Sequence, residues 1–344
     1  MIADKMVGFV RNSSVIRAMF EEGKKMAAEF GPENVYDFSL GNPSVPAPPV
    51  VTDTLRELLE STPAEALHAY TSSAGDPAVR EAIAGYVRRS FGFDAQSEYI
   101  YMTAGAAASL TVTLNALTEP GDEVIVPTYT YTASASIIYH VGATPVMIDC
   151  KQDSYEMDYD KVEEAITPKT KAIILNNPSN PTGYVLSPEE MRTLADIAIE
   201  NNLYLIADEV YREFAYGDRI PESFSLFKDL EEHLVLVDSA SKRFSACGAR
   251  VGCVITRNKE LQQAILKFCQ SRLSVATLDQ IGATALYSVD KEFFAKSKEE
   301  YKQRRDTVVQ GLRQIPGVTS QIESSCSKMR TLVSRWSAAA MLDC

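Results

Sequence analysis

The middle of the chain alternates short apolar runs with helical patterns, and this alternation constrains the fold more than any other feature of the sequence. Runs rich in Val, Ile and Leu are typical of strands that are covered on both faces of a sheet. Strands that alternate with helices predict an α/β fold with a mostly parallel sheet. The runs are EYIYMT, DEVIVP, TPVMID, KAIILNN, LYLIAD and HLVLVDS, with helical patterns such as DKVEEAI and PEEMRTLADIAIENN between several of them.

The segments on either side of this block have other patterns. The chain begins with polar helical sequence, followed by the Pro-rich stretch GNPSVPAPPVV, which cannot lie inside a helix and is interpreted as a loop between lobes. Helical sequence resumes at NKELQQAILKFCQSRL and is assigned to a smaller lobe. We therefore expect a small-domain segment at 1–40, a large domain at 41–270, and a shortened remainder of the small domain at 271–344 that is atypical from about residue 320.

The composition limits the partners of the chain. Its 34 Lys and Arg against 46 Asp and Glu give a formal net charge of −12, a field that repels nucleic acid. The six cysteines form no CxxC pair and only three histidines are present, so neither a metal site nor a disulfide framework is indicated. Because no segment has the length and apolar character of a signal region or membrane span, we expect a cytoplasmic protein without membrane contacts.

Polar and small residues follow the predicted strands at the points where the strands end. In open α/β sheets, ligands bind outside the carboxyl ends of the strands. The residues that follow five of the runs are AGAAASL, TYTY, PSNPTG, EVYREF and ASK. We expect these five ends to converge on one pocket.

Small residues after the first run indicate an anion site at the start of a helix. There, backbone N–H groups approach an anion closely and the helix dipole favours negative charge, although tight helix–sheet packing alone also selects small residues. Two hydroxyls and a bidentate guanidinium from the last run would complete a phosphate cradle. The candidates are Gly105, Ala106, Ala107, Ser239, Ser241 and Arg250. Neither GxGxxG nor GxxxxGK[ST] occurs, so a dinucleotide or nucleoside triphosphate is not favoured.

A lysine and an acid each stand at the end of an apolar run. Lys242 would lie beside the bound phosphate, where burial favours the neutral, nucleophilic amine; the alternative is a solvated loop lysine. Asp208 needs a cationic partner such as a protonated ring nitrogen, unless it caps the next helix. Asn180 and Tyr211 could bond a ring oxygen, and Tyr129 offers an aromatic plane or ordinary core packing.

Three motifs in this order carry a resemblance to a known family. They are NNPSNPTG at 176–183, ADEVY at 207–211 and SASKRFSACGAR at 239–250. Over roughly 35–318 the chain resembles the fold type I pyridoxal phosphate (PLP) enzymes, specifically the class I/II aminotransferases related to aspartate aminotransferase. The resemblance implies a mostly parallel seven-stranded sheet flanked by helices in a large PLP-binding domain, with a smaller α+β domain. It also implies a homodimer that converts amino acids to 2-oxo acids by a ping-pong mechanism, with aspartate-like substrates first.

The resemblance implies a role for each cofactor-binding candidate. Lys242 looks like the lysine that forms the Schiff base with PLP and moves the substrate proton. Asp208 would pair with the pyridinium nitrogen, Tyr211 and Asn180 would bond the ring oxygen, and Tyr129 would stack on the ring. The phosphate would be held by backbone at Ala106 and Ala107, by Ser239 and by Arg250. Alanines in the GAAAS turn replace the hydroxyl or glycine that the family often has, which removes a side-chain donor.

Further candidates concern the substrate and the neighbouring subunit. Tyr70 matches a tyrosine that reaches the phosphate of the neighbouring subunit, so the site would be complete only in a dimer. Gly41 and Asn42 match the loop that closes over the substrate carboxylate, where Asn180 also contributes. Arg272 lies where relatives place a loop near the neighbouring site and would recognise an acidic substrate side chain; an interface arginine is the alternative.

The resemblance ends near LRQIPGVTSQ, and the remaining sequence matches no arginine to the family's carboxylate clamp, neither Arg330 nor Arg335. We hypothesise a truncated or frame-shifted ending; a genuinely short lobe is the alternative. The competing functions are a PLP-dependent C–S or C–N lyase, a PLP-binding protein inactive because its C-terminal lobe is incomplete, and a non-enzymatic α/β binding domain. Lys242, Asp208 and Arg250 argue against the last, because such groups are costly to keep in a buried pocket without a ligand.

Overall fold

Seven strands form the central sheet of the protein. The computed structural model describes residues 2–11, 15–39, 41–151, 154–216, 221–321 and 330–333. The strands of the large sheet are β1 (Ile100–Thr103), β2 (Glu123–Pro127), β3 (Thr144–Ile148), β4 (Thr170–Asn176), β5 (Tyr204–Asp208), β6 (Leu234–Ser239) and β7 (Gly252–Ile255). A separate antiparallel pair consists of β8 (Val318–Gln321) and β9 (Arg330–Val333).

The order of strands in the large sheet is β1-β7-β6-β5-β4-β2-β3. Neighbouring strands run parallel from β6 through β5, β4 and β2 to β3, whereas β7 is antiparallel to both β1 and β6. The predicted mostly parallel α/β sheet is therefore confirmed, and each of the six apolar runs contains one strand. The seven strands implied by the resemblance are also confirmed, but the position of β7 was not predicted, because four residues shortly after a polar motif give no readable periodicity.

Thirteen helices accompany the strands in the described residues. They are α1 (Asp4–Arg11), α2 (Val15–Phe30), α3 (Val50–Ser61), α4 (Ala64–Leu67), α5 (Pro77–Phe91), α6 (Ala106–Leu117), α7 (Thr132–Val141), α8 (Tyr159–Glu164), α9 (Pro188–Glu200), α10 (Ala240–Arg243), α11 (Lys259–Arg272), α12 (Thr277–Thr284) and α13 (Lys291–Arg313). Among them, no helix is both long enough and apolar enough to cross a membrane.

The core lies on both faces of the large sheet, because side chains of successive strand residues point to opposite faces. Ile125, Ile173, Leu205 and Leu236 are buried in one hydrophobic cluster. Their neighbours in the chain belong to a second cluster, which includes Val124, Val126, Ile174, Ile206, Val235 and Val237. Burial of both faces leaves the strand ends as the accessible part of the sheet, and the polar residues collect there.

The C-terminal part of the chain differs in one respect from the sequence expectation. The segment after residue 320 shows no clear strand pattern, yet Arg330–Val333 pairs with Val318–Gln321 as β9. The reason is that β9 is only four residues long and is defined by its pairing with β8 rather than by a periodicity of its own. The proposed frame-shifted or truncated ending falls mainly on 322–329 and 334–344, which lie outside the described residues and include Arg335.

Candidate active site

The carboxyl ends of β4, β5 and β6 lie side by side and carry polar residues. Asn176 at the end of β4 is in register with Asp208 at the end of β5. Asp208 is in turn opposite Val237 of β6, two residues before Ser239. Ser239 is opposite Gly252 of β7. The parallel register therefore brings side chains that are far apart in the sequence to one edge of the sheet, as expected.

Asp208 is a buried acid at the centre of this edge, with 2% of its surface exposed. Its Oδ2 accepts a hydrogen bond from Asn176 Nδ2 at 2.7 Å, and its Oδ1 accepts one from the backbone N–H of Val210 at 3.2 Å. Burial raises the pKa of Asp208 to about 7. The alternative of a helix cap does not hold, because the next helical turn begins at Arg212 and has Tyr211 at its N-cap. A cation placed against this carboxyl group would favour its ionised form.

Asn176 is a functional candidate that the sequence reasoning missed. Its Nδ2 donates to Asp208, and its Oδ1 accepts from Thr130 Oγ1 at 3.2 Å and from the backbone N–H of Tyr131 at 3.3 Å. These bonds fix the orientation of the amide and so of the carboxyl group. The available signal was its place as first residue of NNPSNPTG, at the end of a predicted strand.

Asn180 and Tyr211, predicted to share a ring oxygen, are brought together. Asn180 Nδ2 lies 3.4 Å from Tyr211 Oη, at the weak end of hydrogen-bond distances. Both side chains are partly buried and polar. An oxygen that accepts from both would find two donors in one place.

The first turn of α6 and the side chain of Arg250 form the candidate phosphate cradle. Arg250 Nη2 donates to the carbonyl oxygen of Ala104 at 2.8 Å, and Nη1 donates to that of Cys247 at 3.0 Å. Gly105 has φ +87°, and a Cβ added to it would lie 2.5 Å from Arg250 Nη2. Only glycine therefore permits the guanidinium to lie against the helix start. Ala106 and Ala107 follow as the first residues of α6, where backbone N–H groups lack intrahelical acceptors.

Two serine hydroxyls complete this cradle from the end of β6. Ser239 Oγ lies 2.9 Å from Ser241 Oγ and 3.0 Å from the carbonyl oxygen of Val251. It also accepts from the backbone N–H of Ser241 at 3.1 Å and thereby caps α10. Both serines are buried, so their hydroxyl groups have fixed neighbours rather than bulk water.

Lys242 occupies the third position of α10 and is half-buried. Its Nζ donates to the carbonyl oxygen of Gly41 at 2.8 Å and lies 3.9 Å from Cys247 Sγ. The predicted lysine and the predicted substrate loop are thus in contact. Asn42, the next residue of that loop, is exposed. The amine of Lys242 is therefore not freely solvated, as the alternative would require.

Tyr129 lies at the opening of a small cavity. Its ring is 38% exposed and stands edge-on to the ring of Tyr155, with centroids 6.1 Å apart. Both rings border a cavity of about 30 Å³ that Asn176 and Thr182 also line. The exposed fraction distinguishes Tyr129 from a core residue and leaves part of its ring available for stacking.

Two candidates lie apart from these groups. Tyr70 is 89% exposed. The guanidinium of Arg272 donates to the backbone carbonyls of Met102 and Leu273 and lies 3.1 Å from Cys269 Sγ. The roles predicted for Tyr70 and Arg272 remain predictions.

The set of donors fits pyridoxal phosphate. The cofactor combines a phosphate dianion, a ring nitrogen that carries a proton, a ring oxygen and an aldehyde that reacts with an amine. For the phosphate, the cradle supplies backbone N–H groups, hydroxyls and a guanidinium. For the protonated ring nitrogen, Asp208 supplies a carboxyl group whose two hydrogen-bond donors are both neutral. No group of three or more His, Cys, Asp or Glu side chains within the described ranges is arranged to hold a metal ion.

Comparisons with known proteins agree with this fit. The family model for aminotransferase class I and II matches residues 33–335, which extends beyond the 35–318 judged from the motifs. The aspartate aminotransferase of Pyrococcus horikoshii is 32% identical over 308 residues, covering 89% of this chain and 76% of the relative. The aspartate/prephenate aminotransferase of Thermus thermophilus is 31% identical over 276 residues, covering 79% of this chain and 70% of the relative.

Solved structures match over most of the chain. The aspartate aminotransferase of Rhizobium meliloti has a TM-score of 0.86 at 25% identity, covering 94% of this chain and 80% of that one. An aminotransferase from Eubacterium rectale has a TM-score of 0.83 at 32% identity, covering 94% and 83%. The predicted fold type and cofactor are confirmed. The chain therefore belongs to the class I and II aminotransferases, which are PLP-dependent transferases of fold type I.

Proposed function

We propose that this protein transfers the amino group of an aspartate-like amino acid to a 2-oxo acid by a ping-pong mechanism in which Lys242 is the reactive amine. The observation that carries the proposal is Asp208, a buried acid held by Asn176 at the same sheet edge as the lysine turn. Such an acid suits a protonated ring nitrogen, because the pair removes the cost of a lone buried charge.

PLP, when bound, supplies the electron sink that makes loss of the α-proton feasible. Lys242 Nζ would take that proton from the α-carbon of the amino acid and deliver it to C4′ of the cofactor. Asp208 keeps the proton on the ring nitrogen, and Asn176 holds the carboxylate in one orientation. These groups stabilise developing negative charge by charge already in place.

The remaining residues bind and orient the cofactor. The backbone at Gly105, Ala106 and Ala107 receives the phosphate together with Ser239, Ser241 and Arg250. Asn180 and Tyr211 donate to the ring oxygen, and Tyr129 stacks on the ring. Gly41 and Asn42 cover the substrate carboxylate. The contact between Gly41 and Lys242 supports this assignment, because it brings the loop to the reactive amine.

The preference for acidic substrates rests on relatives and on Arg272. The relative from Pyrococcus horikoshii is named an aspartate aminotransferase, and that from Aquifex aeolicus a probable aspartate/prephenate aminotransferase. Arg272 would contribute by binding an acidic side chain across a subunit boundary. To do so its guanidinium must exchange backbone carbonyl acceptors for a carboxylate, a stronger acceptor.

We also propose a cytoplasmic homodimer with a large domain at 41–270 and a small domain formed by 1–40 and 271–344. Six cysteines without the spacing of a disulfide framework are typical of a protein from a reducing compartment. Tyr70, which is 89% exposed, would contact the phosphate held by the neighbouring subunit.

The test is the absorbance spectrum of the purified protein with added PLP, before and after aspartate, with Lys242→Ala as control. A visible band that depends on Lys242 and shifts on addition of aspartate is expected. A stable band that ignores all amino acids would contradict transamination and favour an inactive PLP-binding protein. Pyruvate and ammonia formed from serine or cysteine, which carry a leaving group on the β-carbon, without a 2-oxo acid acceptor would favour a lyase.

A further inference from the structure

Arg243, the residue after Lys242, is fully buried although it is charged. It is 1% exposed and lies in α10, and its side chain enters the core while that of Lys242 reaches Gly41. Arg243 Nη1 donates to Asp238 Oδ2 at 2.6 Å. A buried arginine is costly unless its charge is matched, so this pair needs an explanation beyond packing.

The carboxylate of Asp238 connects both ends of the turn that carries the lysine. Its Oδ2 accepts from Arg243, and its Oδ1 accepts from the backbone N–H of Ser239 at 2.8 Å. Ser239 starts the turn and Arg243 ends it. The hydroxyl of Ser239 and the amine of Lys242 are therefore carried on a segment that is tied at both ends.

Acidic side chains and aromatic rings surround this pair. Arg243 Nε lies 3.9 Å from Glu213 Oε1, and Glu213 in turn accepts from Tyr86 Oη at 2.9 Å. The guanidinium carbon lies 5.0 Å from the ring centroid of Tyr86 and 5.2 Å from that of Phe91. The titratable groups that face the pair are Tyr86 of α5, Asp208 of β5, Glu209 directly after it, Glu213, Cys253 of β7 and Tyr287. Burial raises the pKa of both tyrosines and of Cys253, so these three are neutral near pH 7.

The pair also acts on the acid expected to face the ring nitrogen. Burial is the main cause that raises the pKa of Asp208, and the charge of Asp238 raises it further. The cation of Arg243 opposes that second effect, because it compensates the charge of Asp238 directly. An uncompensated Asp238 would favour a neutral Asp208.

We propose that Asp238 and Arg243 form a positioning pair that fixes the Ser239–Arg243 turn and balances the charge beneath it, so that Ser239 and Lys242 are held for the cofactor. The proposal rests on the proposed function of Lys242. Neither residue touches the cofactor in this scheme; both act through Ser239, Lys242 and Asp208.

The experiment measures three quantities for each PLP-loaded variant: the dissociation constant for PLP, the pH midpoint of its visible absorbance band, and Tm. We expect Arg243→Met to raise the midpoint, because the charge left beneath the turn is negative, and Asp238→Asn to lower it. Both variants should bind PLP about tenfold more weakly, the equivalent of one hydrogen bond to a charged group.

The matched control is Arg257→Met. Arg257 also pairs with an acid, Glu231, and lies near the aromatic rings of Phe93 and Tyr99, but it is beyond the opposite end of β7. This variant should lower Tm and leave the dissociation constant and the midpoint unchanged.

The double variant Asp238→Asn with Arg243→Met separates positioning from stability. Because this variant leaves neither partner of the pair as an uncompensated charge, it should fold even if Arg243→Met does not. Its Tm should be higher than that of either single variant. Its affinity for PLP should stay about tenfold weaker, because the tie between the turn ends is lost. Single variants whose affinity and midpoint equal those of Arg257→Met would overturn the proposal, and so would wild-type affinity for PLP in the double variant. A wild-type protein without a Lys242-dependent band would instead overturn the proposed function.

Discussion

Asp208 is the residue whose environment departs most from that of an ordinary carboxylate. It is buried, and its donors are the amide of Asn176 and a backbone N–H. The sequence could predict the acid, because it stands at the end of an apolar strand, but not its partner. Asn176 becomes its neighbour only through the register of two parallel strands, and that register is a property of the whole sheet.

The buried state of Asp208 predicts a pH dependence for the stability of the cofactor-free protein. Its folded pKa of about 7 is above the ordinary aspartate pKa of 3.8, so between these values the folded state binds a proton that the unfolded state has lost. The free energy of unfolding should therefore fall as pH rises from about 4 to about 7. Denaturant melts of the wild type and of Asp208→Asn across this range measure the effect. Burial raises the pKa of Glu209 as well, and it does so in both proteins, so the effect of Asp208 is the difference between their curves of unfolding free energy against pH. Identical slopes in the two proteins would refute the raised pKa of Asp208.

At the scale of elements, helix α6 and strand β7 meet at a contact that requires two glycines. A Cβ on Gly252 would lie 2.8 Å from Gly105 Cα, and one on Gly105 would meet Arg250. The motifs predicted Arg250 as a phosphate ligand because they carry a local signal. The same motifs could not predict the position of β7, which is short and is defined by its antiparallel pairing with β1 and β6.

Gly105→Ala should weaken PLP binding more than it weakens the fold. The substitution introduces backbone strain of about 1–3 kcal/mol at positive φ and also displaces the Arg250 guanidinium from the helix start. We expect an increase of about tenfold or more in the dissociation constant for PLP, equivalent to about 1.4 kcal/mol or more. Gly248→Ala is the control, because a Cβ there meets no atom within 4 Å and its φ is not positive. Equal affinities for the two variants would argue against the cradle.

At the scale of the whole molecule, the role proposed for exposed Tyr70 predicts a site that is shared between two subunits. Lys242→Ala and Tyr70→Ala should each reduce activity as homodimers. In a mixed dimer, one site combines both defects while the other has an intact lysine and an intact tyrosine. Random exchange makes about half of the dimers mixed, so activity should return to about a quarter of the wild-type value. Assays of coexpressed variants measure this, with Lys242→Ala plus Arg257→Met as a control that should keep about half of the wild-type activity. Activity no higher than half that of the Tyr70→Ala homodimer would argue against a shared site.

The hydrogen bond between Lys242 and Gly41 joins residues 201 positions apart in the chain. During synthesis on the ribosome, the loop at Gly41 leaves the exit tunnel long before the lysine turn exists. Bringing the ends of so long a segment together costs conformational entropy, which the pairing of the strands between Gly41 and Lys242 offsets. In the proposed scheme, a nascent chain would capture its cofactor at Lys242 only after the intervening strands have been made and paired. Covalent attachment of the cofactor would therefore report that the loop at Gly41 and the lysine turn have come together.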